Sequence, residues 1–392
     1  MTAPAQISYD QFNDQQKEAV RLAIEWFKGW KDGRHKKQVF RLAGFAGTGK
    51  TTVARYIAEQ CSGGANFRVE FIAPTGKAAS RLRQKGCPTA KTLHQFVYNV
   101  RGEDEEGDPI FVGKGMLDYT PVLVVMDESS MVGQYDFEAV ERHGIPILAL
   151  GDYGQVPPVK AAQVFNESNA DFTLTEIERN AGNIVRASMF VRGGNSLPFR
   201  EYDDVQIRPG LPTDEEVVSF CAEDAVMLSS YHNTRIALNK RARRLLGHTD
   251  MMPQVGEKLV CRFNQHEHGI MNGEQGIVLG FDDVPDYEKD ENDHDGVQYI
   301  RYKSLTYMKE RRAKFNPICF YEGAQFEEVR KDAMKAIGAW DFGYCLTIHS
   351  SQGSEWDRVL MMDEFMRGVP YAQLAYTGIT RAISHLLMYR ER

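Results

Sequence analysis

Short apolar runs alternate with longer segments of helical spacing in the first part of the chain. The runs VFRLA, RVEFIAP, PVLVVMDE and IPILALGD are predicted strands, and residues 14–30 place apolar side chains on one face of a predicted helix. Short apolar strands separated by helices are typical of a parallel sheet, which binds its ligands where the strands end. The pattern therefore predicts a parallel α/β domain over residues 1–172.

The hydrophobic pattern changes twice after residue 172. Residues 173–254 again combine helical spacing with a strand candidate, AVMLSS, whereas residues 255–332 contain β-prone segments separated by Gly, Asp and Pro. Those segments are KLVCRF, GIVLGF, VQYIRYKSL and KFNPICFYEG, and such a series suggests a small barrel. Because residues 333–392 return to an α/β pattern, we predict a second α/β domain, residues 173–254 and 333–392, into which the barrel is inserted.

The composition is that of an ordinary globular protein, with 42% hydrophobic and 26% charged residues among 392. The net charge of −7 provides no general basic field, so a nucleic-acid partner would bind in a local groove. The six cysteines include no C-x-x-C pair, which favours reduced thiols over a zinc site or disulfides. Without a signal-peptide pattern or a long apolar run, we expect a cytoplasmic protein with no membrane partner.

The segment GFAGTGKT, residues 44–51, matches the phosphate-binding pattern G-x-x-x-x-G-K-[ST] and lies between a predicted strand and a predicted helix. Such a loop offers backbone N–H groups to a phosphate chain without obstructing side chains. Lys50 is expected to reach the outer phosphates and Thr51 to ligate Mg²⁺. The residues expected to bind ATP here are Gly44, Ala46, Gly47, Thr48, Gly49, Lys50, Thr51 and Thr52.

Two further strand ends carry residues suited to ATP hydrolysis. In VVMDESSM, Asp127 is expected to hold Mg²⁺, and Glu128 to orient or deprotonate the attacking water. The alternative is an acid pair that caps the following helix. In LALGDYGQVPPV, Gln155 is placed to sense a γ-phosphate or a water. Together with the phosphate loop, these segments indicate a RecA-like motor domain.

Phosphoryl transfer also needs cations, because negative charge spreads over the γ-phosphoryl oxygens in the transition state. Arg179 in LTEIERN and Arg381 in YTGITRA are the candidates, both in the second α/β domain as predicted. The alternative for each is a surface salt bridge.

The order of these segments resembles that of superfamily 1 helicases of the B type, in the RecD/Dda-like family, over nearly the whole chain. The segments that carry the resemblance are FNDQQKEAV, GFAGTGKT, APTGKAA, TLH, MDESSM, GDYGQVPPV, LTEIERN, LTIHSSQGSEWD and YTGITRA. The resemblance implies two RecA-like parallel-sheet motor domains that grip one DNA strand, with ATP and Mg²⁺ as cofactors.

The resemblance also assigns roles to individual residues. Gln16 would read the adenine edge, and Arg179 and Arg381 would contact the γ-phosphate. Glu355, with Gly353, would link nucleotide movement to the DNA grip. The residues expected to contact the DNA backbone are Thr75, Lys77, Thr92, His94, Thr347 and His349. The chain departs from the family at Ser350, where lysine is frequent, and this could weaken a phosphate contact.

Residues 97–114 fall where B-type relatives carry a β-hairpin pin that splits the duplex. Two β-prone arms flank an acidic, glycine-containing turn, and Tyr98 and Phe111 are candidates for stacking on a base at the fork. The alternative is a plain surface hairpin. GIMNGEQGIV resembles the opening of an inserted SH3-like domain, with Asn272 and Gly273 at a strand turn and Asn272 near the DNA. A packing module is the alternative for this domain.

These observations predict an ATP- and Mg²⁺-dependent DNA helicase that moves 5′ to 3′ on single-stranded DNA and opens forked duplexes. We expect a monomer that works in replication or recombination, with single-strand-binding or replication proteins as further partners, in a host cytoplasm if phage-encoded. One alternative is an RNA helicase or RNA-stimulated translocase, because no residue visibly reads a 2′-hydroxyl. The other is a non-catalytic DNA-binding subunit.

Overall fold

The computed structural model describes residues 8–63, 68–103, 109–157, 164–177, 182–265, 268–285 and 296–390. The chain divides into two compact units, Met1–Arg186 and Ala187–Arg392. All six cysteines are free thiols. Within the described ranges, no helix has both the length and the apolar character needed to cross a membrane.

The first unit is built on a six-stranded parallel sheet with the strand order β3-β2-β6-β7-β1-β8. Its strands, together with those of a separate hairpin (β4 and β5), are β1 Val39–Gly44, β2 Val69–Ala73, β3 Lys91–Thr92, β4 Tyr98–Glu103, β5 Pro109–Gly113, β6 Leu123–Met126, β7 Ile147–Gly151 and β8 Phe172–Leu174. Its helices are α1 Asp14–Lys31, α2 Lys50–Ser62, α3 Gly76–Gln84, α4 Leu93–Val97 and α5 Gln134–Glu141.

Helices cover both faces of this sheet, and the alternation of side chains along β6 shows how. Leu123 and Val125 belong to the core formed with α1, α2 and α3, whereas Val124 and Met126 belong to the core formed with α4 and α5. A strand buried on both faces reads as a continuous apolar run, as PVLVVMDE does. The predicted parallel α/β fold is therefore confirmed for this unit.

An antiparallel hairpin, β4–β5, occupies the segment between α4 and β6. Tyr98 pairs with Gly113 at its base, and Val100 pairs with Phe111 further along. The turn of this hairpin, residues 104–108, lies outside the described ranges.

The second unit contains a six-stranded sheet and a five-stranded sheet. The first has the order β17-β11-β18-β19-β10-β9 and is parallel except for the β9–β10 pair, and the second, β15-β14-β13-β12-β16, is antiparallel. The strands are β9 Arg200–Glu201, β10 Val205–Pro209, β11 Ala225–Ser229, β12 Lys258–Cys261, β13 Gln275–Asp283, β14 Gln298–Ser304, β15 Lys309–Phe315, β16 Trp340–Phe342, β17 Cys345–Thr347, β18 Trp356–Met362 and β19 Ala382–Arg390. The helices are α6 Asn183–Arg192, whose first four residues belong to the first unit, α7 Asp214–Ser219, α8 His232–Leu245, α9 Glu327–Ala333 and α10 Tyr371–Ile379.

Two boundaries differ from the ones suggested by the sequence. Strand β8 pairs with β1, so the first unit continues past residue 172 and reaches Arg186. Strand β16 pairs with β12, so the antiparallel sheet extends to Phe342 rather than to residue 332. Both strands are short and lack a long apolar run. They are strands because they pair with partners that are distant in the sequence.

Buried polar contacts connect the inserted antiparallel sheet to the rest of the second unit. Arg243 on α8 forms an ion pair with Glu257 at 2.8 Å, and Arg235 on the same helix pairs with Asp341 of β16 at 2.6 Å. The indole N–H of Trp356, at the start of β18, donates a 3.1 Å hydrogen bond to the side chain of Gln275 on β13. Charged and polar groups lose hydration when buried, so each of these pairs depends on both of its members.

Candidate functional site

The loop between β1 and α2 has the geometry of a phosphate-binding loop. Gly47 and Gly49 have φ angles of 83° and 77°, in the left-handed region that glycine adopts without a steric penalty. A Cβ atom on Gly44 would lie only 2.7 Å from Oγ1 of Thr48. The Lys50 ammonium donates to the carbonyls of Gly44 at 2.7 Å and Phe45 at 2.9 Å. The loop therefore places an ammonium group beside the backbone N–H groups at the start of α2.

Gln16 is buried beneath this loop, with 1% of its surface exposed. Its side-chain nitrogen donates to the carbonyl of Thr48 at 3.2 Å, and its side-chain oxygen accepts from the backbone N–H of Asn13 at 3.2 Å. Gln16 thus joins the capped N-terminus of α1 to the phosphate loop. Its contact with adenine stays a prediction.

The neighbouring glutamine was not singled out from the sequence. The Gln15 side chain accepts hydrogen bonds from the backbone N–H groups of Thr175 at 2.8 Å and Glu176 at 2.9 Å, and it donates to the Thr175 hydroxyl at 2.7 Å. Gln15 therefore holds the two residues that directly follow β8 in place. Its only sequence signal is a second amide beside Gln16. Arg179, further along this segment, lies outside the described residues.

The acid pair follows β6, and Gln155 follows β7. Glu128 has φ 51° and ψ 38°, a left-handed conformation that is costly for a residue with a side chain. The Asp127 carboxylate accepts the backbone N–H of Glu128 at 2.9 Å. Gln155 is 4% exposed, and its side-chain oxygen is buried without a hydrogen-bond partner among the described residues. Because β7 lies between β6 and β1, these loops and the phosphate loop leave the same edge of the sheet.

The Thr51 hydroxyl and the Asp127 carboxylate supply oxygen ligands of the kind that Mg²⁺ prefers. No cluster of three or more His, Cys, Asp or Glu side chains suited to a metal occurs in the described ranges. A site with few protein oxygens beside a phosphate loop fits an ion that is bound together with a nucleotide rather than in a protein cage. The residues present therefore fit Mg²⁺ with ATP.

Arg381 is buried within the second unit, with 3% of its surface exposed. Its guanidinium donates to the carbonyl of Thr377 at 2.9 Å, to the hydroxyl of Thr380 at 3.0 Å and to the carbonyl of Ser354 at 3.1 Å. It therefore connects the end of α10 to the QGSE segment, where Glu355 follows and Gly353 has φ 72°. Its contact with a γ-phosphate stays a prediction.

Thr75 and Thr92 lie at the ends of two paired strands of the first sheet: Thr75 follows β2, and Thr92 is the last residue of β3. Thr75 caps α3, and its side-chain oxygen accepts the N–H of Ala78 at 3.2 Å. Thr92 caps α4 in the same way, through the N–H of Gln95 at 3.2 Å, and pairs with Ala73 across β2 and β3. A hydroxyl that accepts a capping bond still has a proton to donate, so both side chains are compatible with phosphate contacts. Lys77 lies in the first turn of α3.

His94, Tyr98 and Phe111 form one ring cluster where the hairpin joins the sheet domain. The ring centroids are 5.4 Å apart for His94 and Tyr98, 5.3 Å for His94 and Phe111, and 5.9 Å for Tyr98 and Phe111. The structure therefore places the two predicted stacking residues in the arms of the β4–β5 hairpin, with Tyr98 at its base. It also brings both residues next to His94, which is predicted to contact the DNA backbone. Phe111 is 45% exposed.

The predicted DNA residues of the second unit lie at the end of β17, in the short helical turn that follows it, and in the turn before β13. The Thr347 hydroxyl donates to the Ser350 hydroxyl at 3.0 Å, so the serine found in place of the frequent lysine stabilises the turn after β17. Burial, and then the neighbouring His232, lower the pKa of His349 below its ordinary value. Asn272 and Gly273 lie in the turn that leads into β13, where Gly273 has φ 87°.

Two family patterns match the chain. An AAA domain matches residues 11–205, and a UvrD-like helicase C-terminal domain matches residues 342–389. The ATP-dependent RecD2 DNA helicase of Deinococcus radiodurans is 27% identical over 87% of this chain and 45% of its own length. The ATP-dependent DNA helicase dda of Enterobacteria phage T4 is 26% identical over 48% of this chain and 44% of its own length. The chain thus spans less than half the length of both relatives.

A solved structure shows the same fold over almost the whole chain. A Pif1 helicase, studied for DNA unwinding at forked duplexes, superposes with a TM-score of 0.58 at 17% identity, covering 96% of this chain and 92% of that one. This likeness confirms the α/β architecture with parallel RecA-like sheets.

Proposed function

Because the chain is homologous to the RecD2 and Dda helicases, we propose that it is an ATP-dependent DNA helicase that moves 5′ to 3′ along single-stranded DNA. The observation that carries this proposal is the phosphate loop, where Lys50 is held by the carbonyls of Gly44 and Phe45. That loop shares one sheet edge with the acid pair at Asp127 and Glu128. A protein that only binds DNA has no need for this arrangement.

In the proposed ATPase reaction, Lys50 binds the β- and γ-phosphates and Glu128 orients or deprotonates the attacking water. Thr51 and Asp127 would hold Mg²⁺, which would neutralise charge on the phosphates when bound. Gln155 contacts the γ-phosphate or the water through its buried amide. We propose Arg179 and Arg381 as the cations that stabilise the developing charge.

The proposed DNA contacts fall on both units. Thr75, Lys77 and Thr92 bind backbone phosphates on the first unit, and Thr347 and His349 do so on the second. Binding through phosphates and stacking is independent of sequence and sensitive to salt.

The β4–β5 hairpin is the proposed pin that splits the duplex, with Phe111 and Tyr98 facing the bases. The inserted antiparallel sheet, near Asn272, is proposed to close over the strand. We further propose a monomer that acts in replication or recombination in the cytoplasm, alongside single-strand-binding or replication proteins.

Unwinding of matched duplexes with a 5′ or a 3′ single-stranded tail tests the proposal. With ATP and Mg²⁺, the 5′-tailed duplex is expected to open and the 3′-tailed duplex to stay closed. Lys50→Ala is the control and is expected to bind DNA without unwinding it. Opening of only the 3′-tailed duplex would refute the polarity, and ATPase activity stimulated by RNA in preference to DNA would refute the substrate.

A further inference from the structure

Asp136 lies between the acid pair and the base of the hairpin. It belongs to the first turn of α5, which the short helical turn Ser129–Met131 connects to Glu128. Its carboxylate lies 3.7 Å from Nε2 of His94. The Tyr98 hydroxyl lies close enough to Asp136 that burial, and then the charge of this carboxylate, raise the pKa of Tyr98. One carboxylate thus lies beside two of the three rings at the hairpin base.

The ring cluster is a continuous contact from α4 to the outer arm of the hairpin. His94 comes from α4, Tyr98 opens β4 and Phe111 lies in β5, with every pair of ring centroids within 6 Å. Because Asp136 lies beside His94 and Tyr98, it is placed to restrain the two rings against which Phe111 packs. Phe111 remains half exposed and is therefore accessible to a nucleotide base.

The helices that carry these contacts pack as one body. The buried side chains of Phe137 and Val140 on α5 share a core with Leu93 and Phe96 on α4. Protein interiors are close-packed, so a displacement of α5 is passed to α4 rather than absorbed between them. Glu128, at the other end of this connection, has a strained backbone whose conformation sets the direction of the chain toward α5.

We propose that Asp136 is a positioning residue that holds the His94–Tyr98–Phe111 cluster in a base-stacking arrangement and links it to the acid pair through α5. This inference rests on the proposed DNA helicase function. It assigns to α5 the task of carrying a change at the nucleotide site to the hairpin, and it predicts that Asp136 affects DNA engagement without affecting ATP chemistry.

The test compares Asp136→Ala and Asp136→Asn with Glu138→Ala. Glu138 is the matched control because it is an exposed acid on the same helix that pairs with Gln134 of that helix. Four quantities are measured: the melting temperature, the ATPase rate without DNA, the Kd for a single-stranded oligonucleotide by fluorescence anisotropy, and unwinding of a 5′-tailed fork.

For Asp136→Ala we expect the Kd for the oligonucleotide to rise by about tenfold and the rate of fork unwinding to fall by about tenfold, the effect of losing roughly one stacked base. The ATPase rate without DNA and the melting temperature stay at the parent values. Asp136→Asn, which keeps a polar side chain of the same shape beside His94 and Tyr98, is expected to lose less than Asp136→Ala. Glu138→Ala is expected to lose nothing.

A parallel loss of melting temperature and DNA-free ATPase in Asp136→Ala would overturn the inference and leave Asp136 with only a structural role. An unchanged Kd would overturn it as well, and so would an equal effect of Glu138→Ala. A parent protein that binds the oligonucleotide but opens no fork would refute the helicase function, whereas the Kd series would still decide the role of Asp136.

Discussion

Because Glu128 has a left-handed backbone, we expect glycine at residue 128 to give a more stable protein than alanine, the reverse of the usual order. A residue with a side chain at φ 51° carries a strain of about 1–2 kcal/mol that glycine does not. Glycine in turn costs about 0.4–1 kcal/mol relative to alanine through the entropy of the unfolded chain. The strain exceeds the entropy cost, so Glu128→Gly should be more stable than Glu128→Ala by about 0.5–1 kcal/mol. Both variants lack the same carboxylate, so the comparison isolates the backbone.

The matched position is Glu138, which lies within α5 with helical backbone. There Glu138→Gly should be less stable than Glu138→Ala by about 1 kcal/mol, the usual cost of glycine inside a helix. The assay is urea denaturation of all four variants, comparing transition midpoints at equal slopes. The reasoning fails if glycine is the less stable choice at residue 128 as well. Both Glu128 variants should bind ATP yet lose hydrolysis by about 10²-fold or more, as expected for a missing general base.

Three further outcomes follow from other residues. Gly44→Ala should raise the KM for ATP by about tenfold in a steady-state ATPase assay, because the new methyl group overlaps Oγ1 of Thr48 and displaces the stem of Lys50; an unchanged KM would contradict the close approach. Met308→Gly should stabilise the second unit by about 0.5–1 kcal/mol in thermal denaturation, since Met308 is exposed with φ 52°, and a lower melting temperature would count against it. Burial lowers the pKa of Lys258 from 10.5 to about 8, so between these values the unfolded chain binds a proton that the folded chain lacks. The stability of the parent relative to Lys258→Met should therefore increase as the pH rises from about 8 to 10.5 and should be lowest below pH 8. The measurement is the difference between the denaturation midpoints of the two proteins as a function of pH. A difference that does not change with pH would refute the lowered pKa.

The sequence predicts the parallel sheets and the turn of the phosphate loop because both depend on local pattern. PVLVVMDE identifies a buried strand with acids at its end, and GFAGTGKT identifies the turn that follows another. Local pattern does not predict the short strands β8 and β16, because each forms by pairing with a partner that is distant in the sequence. The strained φ of Glu128 and the contact of Asp136 with His94 arise from tertiary packing, and neither leaves a periodic signal in the chain.

Arg381 illustrates the same limit. Its position in YTGITRA identifies it as a candidate cation, but nothing in that segment indicates that the guanidinium bonds to Thr377, Thr380 and Ser354. Gln15 differs from Arg381 because no sequence segment identifies it as a candidate. Its three hydrogen bonds to Thr175 and Glu176 form only because β8 pairs with β1.

The charged contacts between the inserted antiparallel sheet and α8 have a consequence for protein engineering. An insertion that is joined only by its two chain crossings can be exchanged for another domain. Here, a replacement domain that covers α8 but lacks Glu257 and Asp341 would leave the guanidinium groups of Arg243 and Arg235 buried without partners, at a cost of about 3–5 kcal/mol for each broken pair. A different insertion placed on this motor would therefore need acids that match both arginines, or both arginines replaced by apolar residues at the same time, and grafting this insertion onto another motor would require the acceptor helix to carry matching arginines.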